Sequence, residues 1–395
     1  MEEVEHPFWQ ALKDRTFLLG TTAALLGYFA FLVTCFLSSL VMTQLTEDPS
    51  LVAFVNAAVQ APLLFVILPA AAVARLIDRR ILLMAVNLAI SCVLFCMGLE
   101  STSLHPTPVQ VLVLIFSLGT LAAFSMSVWQ ISGPDVVAKS MVAGATVTVS
   151  AGFNLARAVA PVFGAASLKL LGFQVTLISG AILALIGAFL PMGSKWPNGP
   201  AHTLQSVSAD RDSQRKNRRV LSLRRVSQAF IVSLSGSSVW ALLPVMAQRR
   251  YGNDMATAMG LLSGALGTGA LLGALGSRPI HQHLPLVTII VMTAVSMMVF
   301  VASFGVDLPL PLSCLFAVGM GASWFIHGCT LNVFVRTDAP DYLGGDAVAR
   351  FLMIFYLGLA AGSVVWGTVA TTWGLGTAMV VSALGIAVSA FLGLQ

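Results

Sequence analysis

The chain has 395 residues, 57% of them hydrophobic and only 9% charged, with a formal net charge of +5 and a mean hydropathy of +0.90. No single soluble core could cover that much apolar surface, which excludes soluble-enzyme and nucleic-acid-binding classes. The positive balance points instead to membrane topology and to contact with anionic inner-leaflet lipid.

Apolar runs long enough to cross a bilayer, about 17 to 25 residues each, recur along the whole chain. They fall at 16–42, 51–74, 81–99, 109–131, 142–167, 173–192, 226–247, 256–276, 286–304, 310–334, 349–372 and 375–394. Residues 1–15 ahead of them are acidic and polar, with Phe8 and Trp9 suited to the membrane interface. This segment lacks the basic start and cleavage site of a secretory signal, so the first span is expected to stay in the mature protein.

Orientation follows from Lys and Arg, because short basic loops stay on the cytoplasmic side. With the N-terminus inside, 17 of the 21 basic residues fall in cytoplasmic segments, while Lys169, Arg249 and Arg250 fall outside and Arg157 lies within a span. An odd number of spans would spoil that bias. Both termini are therefore expected in the cytoplasm, and the inner (plasma) membrane is the expected location.

The chain divides once. Residues 193–225 turn to Ser, Asn, Gln, Pro and clustered base, including Arg215, Lys216, Arg218 and Arg219, as a solvated linker would. The division leaves a cytoplasmic segment at 1–15, a six-helix bundle at 16–192 and a second at 226–395. The expected fold is all-α integral membrane: twelve transmembrane helices in two six-helix pseudo-symmetric bundles, with a polar site between them near the midplane.

Polar residues inside the spans are the candidate site. Asn56 and Gln60 stand four apart on the second span, and Asn87, Gln130 and Asn332 are further candidates for lining a cavity or bridging helices. Arg157 is the one charge well inside a span, where a guanidinium costs about 2.5 to 3.5 kcal/mol on insertion scales. It is expected to face a wet cavity as an anion site, with Asn154 on the same face; the alternative is a structural role on carbonyls freed by Pro161. Gly152, Ala156, Ala160 and Gly164 recur every four residues, a small-residue stripe that admits a close neighbour. Gly260, Gly264, Gly269 and Gly273 on span eight, with Gly358 and Gly362 on span eleven, extend that pattern. No Asp or Glu lies deep in a span, so His327 is the candidate for proton coupling, against a packing role.

Several motifs resemble the major facilitator superfamily, in the branch of transmembrane secretion effectors that holds the enterobactin exporter and macrolide efflux proteins. They are the runs Met42 through Ala58 and Leu68 through Arg80, Gly152 through Pro161, Arg250-Tyr251-Gly252 with Gly260 through Gly267, and Val365 through Ala370. The resemblance implies that Arg157, Ala160, Pro161 and Gly164 form an antiporter-like motif, with Ala160-Pro161 where exporters usually have Gly-Pro. It also implies a cytoplasmic gate of Arg75, Asp78, Arg79, Arg80 and Asp346. Here the chain departs from its relatives: Arg75 replaces an acid, and Gly344-Gly345-Asp346 replaces Arg-Gly-Arg, which suggests a charge-swapped Arg75–Asp346 pair. A monomer is the usual form of this fold.

The expected function is export of a small-molecule cargo, a siderophore or related secreted metabolite, by alternating access in exchange for protons. A multidrug or macrolide efflux pump is the alternative, followed by an uptake permease. A non-cycling sensor or assembly subunit is the reading from another class. No phosphate-binding Gly-rich loop and no convincing Ser, His and carboxylate set occur, so neither an ATPase nor an enzyme is expected. No cofactor, metal or nucleic acid is expected: Cys92 and Cys96 lack a third ligand, and His281 and His283 read as interfacial loop residues.

Overall fold

The computed structural model describes residues 11–100, 106–138, 141–193, 223–338 and 344–394. The long helices are α1 (Arg15–Leu45), α2 (Pro49–Leu76), α3 (Arg79–Glu100), α4 (Pro108–Ser132), α5 (Val142–Phe189), α6 (Leu223–Tyr251), α7 (Met255–His283), α8 (Leu286–Ser303), α9 (Leu310–Asp338), α10 (Gly344–Trp373) and α11 (Leu375–Leu394). Among the described residues, ten stretches are apolar and long enough to cross a membrane, and two of them, of 50 and 60 residues, are each long enough for two crossings, which gives room for twelve. The basic linker lies mostly outside the described residues.

Local chemistry sets where the helices begin and turn. Asp14 caps α1 by accepting the Phe17 amide at 2.9 Å. Thr107 and Gln110 cap α4 reciprocally, with Pro108 in the first turn, where its missing N–H costs nothing. Gly172, at φ 82° and ψ 173°, splits α5 into two arms, 142–171 and 173–189. Only glycine enters that region without strain. Gly252 and Gly374, also at positive φ, turn the chain after α6 and α10. These three turns and the 46–48 turn share one end of the molecule, here called the roof; the base carries the start of α1.

Within the first half, α1 and α3 pack on α5, and α2 packs on α4. In the second half, α10 and α11 pack on α6, α7 on α9, and α8 on α9 and α11. The halves meet along two seams, α2 against α10 and α5 against α7. Lipid is as apolar as the side chains it touches, so association inside a membrane depends on close packing and polar contacts. Both are present. Trp129 Nε1 donates to Thr21 at 3.2 Å, Ser91 to the Ala181 carbonyl at 2.8 Å and Trp366 Nε1 to the Leu234 carbonyl at 2.6 Å, while Ser238 and Ser382 pair at 2.9 Å.

The small-residue stripes sort into definite contacts. Gly152 and Gly164 of α5 lie against Leu25 and Phe36 of α1. The seam with α7 uses the neighbouring face instead, Ala158, Pro161, Val162 and Ala165, which meet Gly260, Gly264 and Gly267. Gly269 and Gly273 turn away to α9, where Val318 and Ala322 approach, and Gly358 and Gly362 bring α10 onto α6. At Gly267 a Cβ would overlap the Ala158 backbone, so the two halves touch main chain to main chain there.

Candidate functional site

A cavity of about 790 Å³ lies between the halves, and residues of α1, α2, α4, α5, α6, α7, α9 and α10 line it. That volume is typical of small-molecule sites. Arg157 sits midway along the first arm of α5, roughly 22 Å from the helix start at 1.5 Å per residue, and is exposed to the cavity rather than to bulk solvent. Its Nε donates to Tyr28 Oη at 2.8 Å, and its guanidinium carbon lies 5.8 Å from the centroid of the same ring. Tyr356 of α10, in the opposite half, lines the same cavity. Among the described lining residues, Arg157 is the only ionised side chain.

The sequence-predicted residues largely converge. Arg157, Asn154, Asn56, Gln60 and Pro161 line this one cavity, as do Gln130 and Asn332. Asn154 donates back to the Ser150 carbonyl at 3.0 Å. Asn56 faces the other half and donates to Ser363 of α10 at 2.8 Å, so it belongs to the seam as well as to the cavity. Asn87 sits elsewhere, fully buried among α1, α3 and α5, donating to the Ala23 carbonyl at 3.1 Å.

His327 does not line the cavity. It is buried where α9 packs on α8, with Nδ1 2.8 Å from the Thr293 hydroxyl and, among the described residues, no hydrogen-bond partner for Nε2. His281 and His283 lie in the last turn of α7, not in a loop, because the helix continues through Pro279. His281 Nε2 is 3.0 Å from Thr330 of α9, and His283 Nδ1 is 2.8 Å from the Pro279 carbonyl. The Arg75, Arg79 and Asp346 side chains of the expected gate fall outside the described ones. Asp78 is exposed and accepts the Arg80 amide at 2.8 Å.

The residues that sequence reasoning passed over are mainly aromatic. Trp240, Trp324 and Phe355 pack in series on the cavity wall of the second half, with centroids 4.8 and 5.5 Å apart and ring planes tilted by 59° and 47°, and Phe351 continues the row. Gly236 makes room, since a Cβ there would strike the Trp324 ring.

The roof is closed by polar contacts between the halves. Thr371 donates to Asp48 at 2.6 Å, Ser50 and Thr371 share a hydroxyl contact of 2.9 Å, and Gln248 donates to the Thr43 carbonyl at 3.0 Å. From beneath this closure the lining residues run toward the base, as far as Asn332, Val333 and Phe351. A smaller apolar groove of about 410 Å³ between α3 and α4 carries no charged side chain.

The family model for transmembrane secretion effectors matches residues 7–395. The chain belongs to this family of the major facilitator superfamily. It is therefore a multi-pass membrane protein and a secondary transporter of small-molecule cargo, not an enzyme. Among solved structures, a mutant of the nucleoside transporter NupG is 16% identical, with a TM-score of 0.73 over 96% of this chain and 99% of that one. A bacterial homologue of the human lysosomal transporter Spinster, inward-facing and occupied, is 12% identical, with a TM-score of 0.74 over 99% and 97%. The xylose transporter XylE from E. coli, inward open, is 16% identical with a TM-score of 0.65 over 95% and 94%. At such identities the likeness speaks for the major facilitator fold alone. No curated protein matches the sequence.

Proposed function

We propose that this transporter exports a small organic molecule, a siderophore or related secreted metabolite, across the inner membrane in exchange for protons. The observation that carries the reading is the cavity between the halves, closed at the roof by cross-half contacts and lined from there toward the base. The positive-inside rule favours a cytoplasmic base, because the helix ends there carry Arg80, Arg224 and Arg225. On that orientation the closed roof faces the cell exterior, the arrangement in which cargo loads from the cell interior. The antiporter-like stretch Arg157, Ala160, Pro161 and Gly164 supports export over uptake: its Pro161 and Ala158 form the seam that must part when the roof opens. Arg157, Asn154, Gln60 and Asn56 hold the cargo, and His327 is the candidate proton carrier.

An uncharged amphiphilic drug would use the aromatic wall but leave Arg157 without a counter-charge, so drug efflux is the second reading. Comparing secreted metabolites and drug tolerance in a deletion strain separates the two. Purified protein in proteoliposomes supplies the direct test, with cargo flux expected to follow an imposed pH gradient. Unchanged secretion together with flux indifferent to the gradient would sink the exporter reading.

A further inference from the structure

The cavity has two chemically different walls. On the first half Arg157 stands with Tyr28 and Asn154, and on the second Trp240, Trp324, Phe351 and Phe355 form a continuous aromatic surface. A cation at membrane depth needs an opposite charge, and the described lining residues supply none. Aromatic faces attract cations as well as flat apolar groups. A cationic ligand would nevertheless share its chamber with Arg157 and gain no carboxylate partner. Gly328 faces open space beside Trp324, so the aromatic wall has room in front of it.

We infer that the cargo is an amphiphilic organic anion with an aromatic body: its anionic group sits on Arg157, which Tyr28 positions, and its rings lie on the Trp240–Trp324–Phe355 wall. This rests on the transporter reading above. Arg157 belongs to one half and the aromatic wall to the other, so the cargo contacts both. One cation against an otherwise neutral lining selects for a single negative charge. The aromatic wall distinguishes this class from aliphatic anions such as fatty acids, which carry the same head group.

The test is a matched probe set titrated by calorimetry into the full-length protein in nanodiscs, with empty nanodiscs as reference. The probes are biphenyl-4-carboxylate, its neutral carboxamide, biphenyl-4-methylammonium and bicyclohexyl-4-carboxylate. Wild-type protein is expected to bind the aromatic carboxylate at least about tenfold more tightly than the other three, a difference of about 1.4 kcal/mol. Arg157→Gln is expected to erase the preference over the amide, and Trp324→Leu the preference over the saturated carboxylate. The wild-type comparison needs no variant, so a misfolded variant leaves the test intact. Equal binding of amide or ammonium, tighter binding of the saturated acid, or no binding by any probe would overturn the inference. Gradient-driven flux of an uncharged compound alone would overturn it while leaving the exporter standing. Loss of all gradient-driven flux would remove the exporter reading itself.

Discussion

Thr371 near the end of α10 donates its hydroxyl to Asp48 just before α2, at 2.6 Å, tying the two halves together across the roof. Asp48 also accepts the Ser50 amide at 2.9 Å. The Thr371 bond, aided by Ser50 and opposed by partial burial, holds the Asp48 carboxyl below its usual range. A carboxyl with a depressed pKa contributes stability that is present above the unfolded value and lost as pH falls through the folded one. The latch therefore holds at and above the ordinary carboxylate range and is lost only as pH falls below it.

Asp48→Asn and Thr371→Val should each shift the protein toward the roof-open form. The pair is partly exposed, so the effect is modest, about 1 kcal/mol or roughly fivefold in the open-to-closed ratio. Spin labels on the roof ends of α2 and α10 measure it directly. Distance distributions unchanged from wild type in both variants would show that the latch carries no weight.

Gly267→Val tests the second seam. A side chain there would fall on the Ala158 backbone, and overpacking of this kind costs about 1 to 3 kcal/mol. The roof-closed form should lose that amount relative to the roof-open form, slowing transport. Cys329 lines the cavity toward the base, so in a variant keeping only that cysteine an impermeant maleimide should label it more slowly from the base side. Wild-type labelling and transport rates would refute the wedge.

How much of this is legible before any fold is known depends on whether a residue's environment is set by its own span. Arg157 is readable because a guanidinium in an apolar run has few tolerable surroundings, and a wet cavity is one of them. Asn56 is readable as polar, but its partner Ser363 lies 307 positions away and is chosen by the packing of α2 on α10. Trp240 and Trp324 escape notice because an aromatic residue in an apolar helix looks alike whether it meets lipid, core or cavity. Phe65 and Trp324 make the point: the first is 69% exposed on the outside of α2, the second stands on the cavity wall. His281 lies beyond the apolar run at 256–276 and so reads as a loop residue, yet α7 continues through Pro279 to His283.

The Arg157–Tyr28 bond predicts a graded series in transport. Arg157→Gln removes the cavity's ionised lining residue and should lower the transport rate at saturating cargo by at least about tenfold. Tyr28→Phe removes one hydrogen bond to the guanidinium, worth about 1 kcal/mol, and should raise KM several-fold with little change in maximal rate. Arg157→Lys should fall between them, because an ammonium keeps the charge but not the planar fork. A Tyr28→Phe effect as large as that of Arg157→Gln would mean that Tyr28 contacts the cargo itself and does more than position Arg157.

His327 separates proton coupling from cargo handling, because it stands outside the cavity with Thr293 as its recorded partner. If it carries the coupled proton, His327→Gln should preserve cargo counterflow, which needs only the alternation of the two halves. Accumulation driven by an imposed pH gradient should be lost in the same vesicles. Thr293→Val keeps the imidazole and removes its partner, and should leave gradient-driven transport active with a shifted pH profile. Counterflow and gradient-driven transport falling together would make His327 a packing residue of α8 and α9. Retention of both would move the proton to another group and leave cargo binding at Arg157 untouched.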